Sequence, residues 1–171
     1  GGTDVTITAS GNTALTDTID VGQAPLPASP LPTGAVTVSS TGSYTDAGNT
    51  TMGAIKIDGG STVTVTQSAG ITDAQKTAAL TAITNDTVTQ GAVNVDGGAA
   101  TTSVTVVQDA AVAALNTIAP GNTANKIGVV AGNVSIDDKN AGIATAATIA
   151  TVSVTNAGTV AVDSAALATS N

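Results

Sequence analysis

The chain has 171 residues, enough for one medium domain or a section of a longer array. Its 12 acidic residues are all Asp and its 4 basic residues all Lys, a net charge of −8; without His or Cys there is no ordinary zinc site, no thiol nucleophile and no Ser-His-Asp triad. With no Arg and Tyr44 as the one aromatic, the cationic grooves and stacking platforms of nucleic-acid binding are missing, and no apolar run approaches the ~18 residues of a membrane span.

Hydrophobic residues make up 42% of the chain and charged residues 9%, the reverse of a disordered segment. The apolar residues are mostly Val, Ala, Ile and Leu. Without large rings they fill only a narrow core, which favours a thin repetitive fold.

In chain order, Gly1-Gly2-Thr3-Asp4-Val5-Thr6-Ile7-Thr8 opens on a strand that mirrors Gly59 to Thr66, and residues 1–21 read as a partial β-repeat. A chain that starts inside its own repeat, with no initiating Met and no signal peptide, reads as a processed product or an interior piece. Residues 22–33 hold four of the five prolines and form a Pro-rich loop or linker. Residues 34–171 form the β-strand-repeat domain.

Within that domain Gly53-Ala54-Ile55-Lys56-Ile57-Asp58-Gly59-Gly60 recurs 38 residues later as Gly91-Ala92-Val93-Asn94-Val95-Asp96-Gly97-Gly98. A looser copy is Gly132-Asn133-Val134-Ser135-Ile136-Asp137-Asp138. The strong copies lead into second strands, Val63 to Gln67 and Val104 to Gln108. Val or Ile alternates with Thr, Ser, Asn or Lys, the period of a strand with one buried face. This predicts strands at 53–58, 63–67, 91–95, 104–108, 132–136 and 150–154, with Ile55, Ile57, Val93, Val95, Val134 and Ile136 facing in. Asp-Gly-Gly then supplies a turn. Two stretches predict short inserted helices: one from the capping-box spacing at Thr72-Asp73-Ala74-Gln75, one from Asp109 through Leu115. Tyr44 falls in a polar stretch and reads as a loop anchor, with a contact to a neighbouring subunit as the alternative. The fold class is therefore all-β, parallel β-solenoid-like (β-helix) repeats with one or two short helices; antiparallel β-sandwich repeats are the alternative.

The residues that suggest chemistry are Asp20, Asp58, Asp96, Asp137 and Asp163, each directly after Ile or Val at a strand end. Stacked in register they form a column of like charges ~5 Å apart, which repel unless a cation lies between them. Ca²⁺ is the hard, oxygen-seeking candidate. Neither an EF-hand loop nor the Gly-Gly-x-Gly-x-Asp nonapeptide is present, so the ligands are strand-end carboxylates and turn carbonyls. Asp before Gly-Gly is also ordinary turn chemistry. Asp137-Asp138 is the one adjacent pair, pointing to opposite faces of a strand. Without His, Glu, Arg or an aromatic platform, no acid–base constellation suggests an enzyme. Asn49, Asn85 and Asn133 begin N-glycosylation triplets of the kind that arise by chance in an Asn- and Thr-rich chain.

Residues 53–67, 101–111 and 149–167 resemble the β-strand repeats of proteobacterial surface-layer (S-layer) proteins and giant type I-secreted surface adhesins. The resemblance implies β-rich arrays, export to the bacterial cell surface, and Ca²⁺-dependent folding and lattice assembly. The expectation is an extracellular structural protein, a self-assembling unit of an S-layer or filament. Its partners are copies of itself, joined by edge pairing and Ca²⁺-bridged carboxylates, with cell-surface polysaccharide as a further partner. The alternative is the stalk or binding module of an adhesin.

Overall fold

The computed structural model describes residues 3–11, 15–22, 31–45, 49–73, 86–114, 127–139, 147–155, 158 and 160–163. Among them the chain is all-β, and every strand pairing is parallel. Parallel pairing throughout overturns the antiparallel sandwich. With no helix among the described residues, none is long and apolar enough to cross a membrane.

The strands form three open sheets. The first holds β1 (Val5–Gly11), β3 (Ala35–Thr45), β6 (Thr62–Asp73), β9 (Ser103–Ala114) and β12 (Thr151–Thr155), in that order. The second holds β4 (Asn49–Thr51), β7 (Asp86–Thr89) and β10 (Ile127–Val130). The third holds β2 (Ile19–Val21), β5 (Ile55–Asp58), β8 (Val93–Gly97), β11 (Val134–Asp138) and β13 (Val160–Asp163). Three times in succession the chain visits the first, second and third sheets in that order, and each strand pairs with its counterpart from the previous circuit.

Alternation decides what each sheet buries. Ile55, Ile57, Val93, Val95, Val134 and Ile136 are all buried, none more than 1% exposed. They pack against Val36, Val38, Val63, Val65, Val104 and Val106 from the first halves of β3, β6 and β9. Each such side chain contributes roughly 1.5–3 kcal/mol on leaving water. The second halves of the long strands cover a smaller cluster of Tyr44, Met52, Ala69 and Val88 against the second sheet. Tyr44 is therefore a buried strand residue of β3, not a loop anchor.

The helix expected from Asp109 to Leu115 is a correction for its described part: β9 continues to Ala114. Ser68 pairs with Asp109, Ala69 with Ala110, and so on to Asp73 with Ala114. The intrinsic preference of Ala for helix is worth a few tenths of a kcal/mol per residue. A ladder of backbone hydrogen bonds to β6 outweighs it. In the other predicted helix Thr72 and Asp73 end β6, and the rest lies outside the described residues, as does most of the Pro-rich segment.

The bend between the second and third sheets explains why each repeat begins with Gly. Gly53, Gly91 and Gly132 stack at this corner. A Cβ on Gly91 would sit 2.0 Å from Gly53 O, and one on Gly132 would sit 2.3 Å from Gly91 O. Hydrogen bonds continue the ladder through the bend: Ile55 N donates to Ala92 O at 2.8 Å and Val93 N to Asn133 O at 2.9 Å.

Backbone carbonyls turned inward here need partners, because a buried unpaired carbonyl costs about as much as a lost hydrogen bond. Buried glutamines supply them. Gln90 Nε2 donates to Gln67 O at 2.9 Å and Asp109 O at 2.8 Å. Gln108 Nε2 lies 3.3 Å from Gly91 O. In the amide orientation that satisfies both ends of Gln67, its nitrogen donates to Gly91 O at 3.0 Å and its oxygen accepts from Gly91 N at 3.3 Å. The glutamines thus sit where the two apolar clusters meet and tie the long strands to the corner.

Candidate functional site

The outer face of the third sheet carries Asp20, Asp58, Asp96 and Asp137. The register places Asp58 beside Asp96, Asp96 beside Asp137 and Asp137 beside Asp163. Four of the five expected residues thus form one row, at steps of ~4.8 Å. Asp20 stands apart from it: it pairs with Lys56, two positions short of Asp58, because Ile19 aligns with Ile55. The first circuit is shorter than the next, so equal sequence spacing did not give equal register.

The row brings its own counter-charge. Lys139, just beyond β11, has its Nζ 3.3 Å from Asp96 Oδ2 and hydrogen-bonded to Asp137 Oδ2. It bridges two successive circuits on an exposed surface, where such pairs are worth ~0–1 kcal/mol. The Asp137 hydrogen bond, followed by that to Asp96, raises the ammonium's pKa above its ordinary value. Its stabilisation is therefore complete below the ordinary lysine range and lost as pH rises through the raised value.

Asp58, at the other end of the described row, is less well compensated. Partial burial and then the Asp96 charge raise its carboxyl above the ordinary value; Lys139 opposes this and Asp20 adds to it. A raised carboxyl pKa favours the fold below the unfolded-chain value, and that contribution is lost as pH rises through the folded value. Asp58→Asn is therefore expected to raise the urea midpoint at pH 7, by less than about 1 kcal/mol because the group is partly solvated. The gain should shrink as pH falls into the carboxylate range. Equal midpoints for the two chains at pH 7 would show that the row carries no net repulsion at Asp58.

Asp138 plays a different part from its neighbour, as alternation requires. It faces inward at 1% exposure, and its Oδ2 accepts from Thr148 N at 2.7 Å and Ile149 N at 2.9 Å. It occupies the register position of Gly97 in the preceding circuit. Thr101 ties the same edge of the fold together: its hydroxyl donates to Gly60 O at 2.5 Å and accepts from Gly98 N at 2.9 Å. The turn itself needs glycine, since Gly59 and Gly60 have φ of 83° and 89°.

For Ca²⁺ the row offers single carboxylates one strand step apart, whereas the ion takes 6–8 oxygens. Among the described residues no three acidic side chains form a group able to hold a metal ion. Lys139 fills the gap between Asp96 and Asp137, which leaves Asp58 as the carboxylate of the row farther from this ammonium. Elsewhere, a shallow depression of about 290 Å³ near the far ends of β1 and β3 is lined by Ser10, Gly11, Thr41 and Ser43.

Sequence reasoning missed Lys139, Thr101 and the glutamines. Lys139 lies two residues from Asp137, a same-face spacing that could have found it. Gln67 and Gln108 stand at equivalent ends of the two repeated Val-Thr strands, at positions that alternation marks as inward. Comparison of the chain with protein-family models, curated proteins and solved structures returned no match.

Proposed function

We propose that the chain is a stretch of a parallel β-solenoid that serves as a structural protein of the bacterial cell surface, a self-assembling unit of an S-layer or extracellular filament. The observation that carries this reading is the repetition of register: the same three sheets are revisited in order, and each circuit pairs with the last. Such a fold extends by nearest-neighbour stacking. Among the described residues β1 and β12 are the outer strands of the first sheet, and an outer strand presents a row of unpaired backbone groups to the next chain. Head-to-tail pairing of unlike edges yields open filaments when the rotation between copies does not close a ring. In this reading Ca²⁺ acts between copies packed side by side, where a neighbour's carboxylates meet the Asp58 end of the row; β2 separates Asp58 from a copy stacked on the sheet edge.

Thr6 on β1 and Ser153 on β12 lie at opposite ends of one register row, and both are exposed. In a stack they meet about one strand step apart. Electron microscopy of the purified chain should show filaments or sheets, more of them with Ca²⁺. Thr6→Lys with Ser153→Lys should give folded monomers, because like charges directly opposite destabilise pairing. Thr6→Lys with Ser153→Asp should restore assembly. Asp58→Asn should keep the fold and lose the Ca²⁺ response. A chain that stays monomeric at high concentration, with and without Ca²⁺, would end this reading.

A further inference from the structure

The outer face of the first sheet is a grid of hydroxyl groups. Thr6, Thr37, Thr64, Thr105 and Ser153 stand in register across its five strands. Two residues along each strand the next rank is Thr8, Ser39, Thr66, Val107 and Thr155. On the other side Thr62, Ser103 and Thr151 line up with Ala35. All of these are exposed or half-buried. Parallel strands lie ~4.8 Å apart and alternate residues ~6.6 Å apart, so the pattern repeats in two directions.

The grid is also neutral. None of its three ranks contains an ionisable side chain; Asp4 borders the third, its Oδ1 accepting from Ala35 N at 2.8 Å, and Asp109, opposite Ser68, stands in the rank beyond Val107. The third sheet's outer face instead carries Asp20, Lys56, Asp58, Asp96 and Asp137. A chain of net charge −8 therefore keeps these three ranks uncharged, with Asp109 in the next rank of the same face. This face lacks the aromatic and Arg anchors by which protein partners are held. Regular uncharged hydroxyls suit an uncharged, hydrogen-bonding partner that is itself periodic in two directions.

We propose that this face binds ice. Water oxygens in the faces of an ice crystal repeat in two directions at spacings of several ångströms, the order of the grid's own. Each Thr offers a hydroxyl, which donates to and accepts from water, beside a methyl group that restricts the waters next to it. Its β-branched side chain has few χ1 states, so little rotamer freedom is lost when the face orders a water layer. Waters held between ranks take the period of the ranks, and that layer joins the crystal. The inference stands on the register of the first sheet and does not depend on assembly.

The test is adsorption of the fluorescently labelled 171-residue chain to a growing ice hemisphere, with ice recrystallisation as a second readout. Wild type should coat the ice and slow grain growth. Thr64→Lys and Thr105→Lys, in the centre of the grid, should lower the ice-bound fraction roughly tenfold, because an ammonium must shed water against the crystal. Asn94→Lys, on the third sheet, should bind as wild type. Circular dichroism of each variant confirms the β fold. Exclusion of wild type from ice overturns the proposal, as does an equal loss in Asn94→Lys. So does adsorption to crystalline chitin or cellulose with none to ice, which would assign the grid to a polysaccharide surface.

Discussion

Gly91→Ala is expected to destabilise the fold by about 3 kcal/mol, the upper end for a forced overpacking. The new methyl carbon would sit 2.0 Å from Gly53 O, 2.5 Å from Gly53 C and 2.7 Å from Met52 O. These are backbone atoms of the preceding circuit, and no rotamer change moves them aside. Relief requires the corner to open. Opening it pulls Gly91 away from Gln67 and Gln108, whose amides reach its backbone, so the strain spreads into the buried glutamine cluster. Gly70→Ala is the matched control. Its Cβ would meet only Gly42 O, at 3.8 Å, and Ala suits a strand better than Gly, so that variant should equal or exceed wild type. Urea unfolding of the two variants checks both expectations. Equal midpoints would mean that the corner is looser than its geometry.

Asp138→Ala is expected to cost a similar ~3 kcal/mol for the opposite reason, a loss rather than a clash. Its carboxylate receives two backbone N–H groups, from Thr148 and Ile149. Hydrogen bonds to a charged group are worth ~1.5–3 kcal/mol each, and buried donors left without a partner add their desolvation cost. Ile149 is fully buried over the main core. Releasing its backbone therefore frees a core side chain as well. Asp138→Asn keeps one acceptor oxygen and should lose about half as much. Hydrogen exchange at the Thr148 and Ile149 amides locates the effect: both should lose protection in Asp138→Ala while the amides of β6 and β9 keep most of theirs. Unchanged exchange at those two amides would show that this contact does not hold the segment.

The strands and their inward residues were legible because alternation and repetition agree. Ile55, Val93 and Val134 are marked twice, by the period of two and by their place in the copy. The carboxylate row was legible for the same reason, since Asp58, Asp96 and Asp137 end equivalent strands. Asp20 was not, because register depends on the length of each circuit and nothing in the flanking residues reveals that the first is shorter. Ala110 to Ala114 could not be read correctly from the sequence around them. Ala carries a helix preference, and what overrides it is β6, about 40 residues away in the chain. The corner glycines were visible as repeat markers. Their necessity was not, because it arises from the carbonyl of another circuit lying where a methyl group would go.

The stacking of circuits has a mechanical consequence. Hydrogen bonds in all three sheets run along the stack, across the strands. Tension along that direction does not shear the strands past each other; it opens the outermost circuit while the interior ones stay closed. Each opened circuit releases the 38 residues from Asp58 to its partner Asp96, or a similar length, up to roughly 130 Å of extended chain where one strand step had been. In the proposed assembly, a polymer of such units would lengthen under a sudden load in discrete increments, dissipating energy with each one. When the tension fell, each freed segment would rewind against a template still folded beside it.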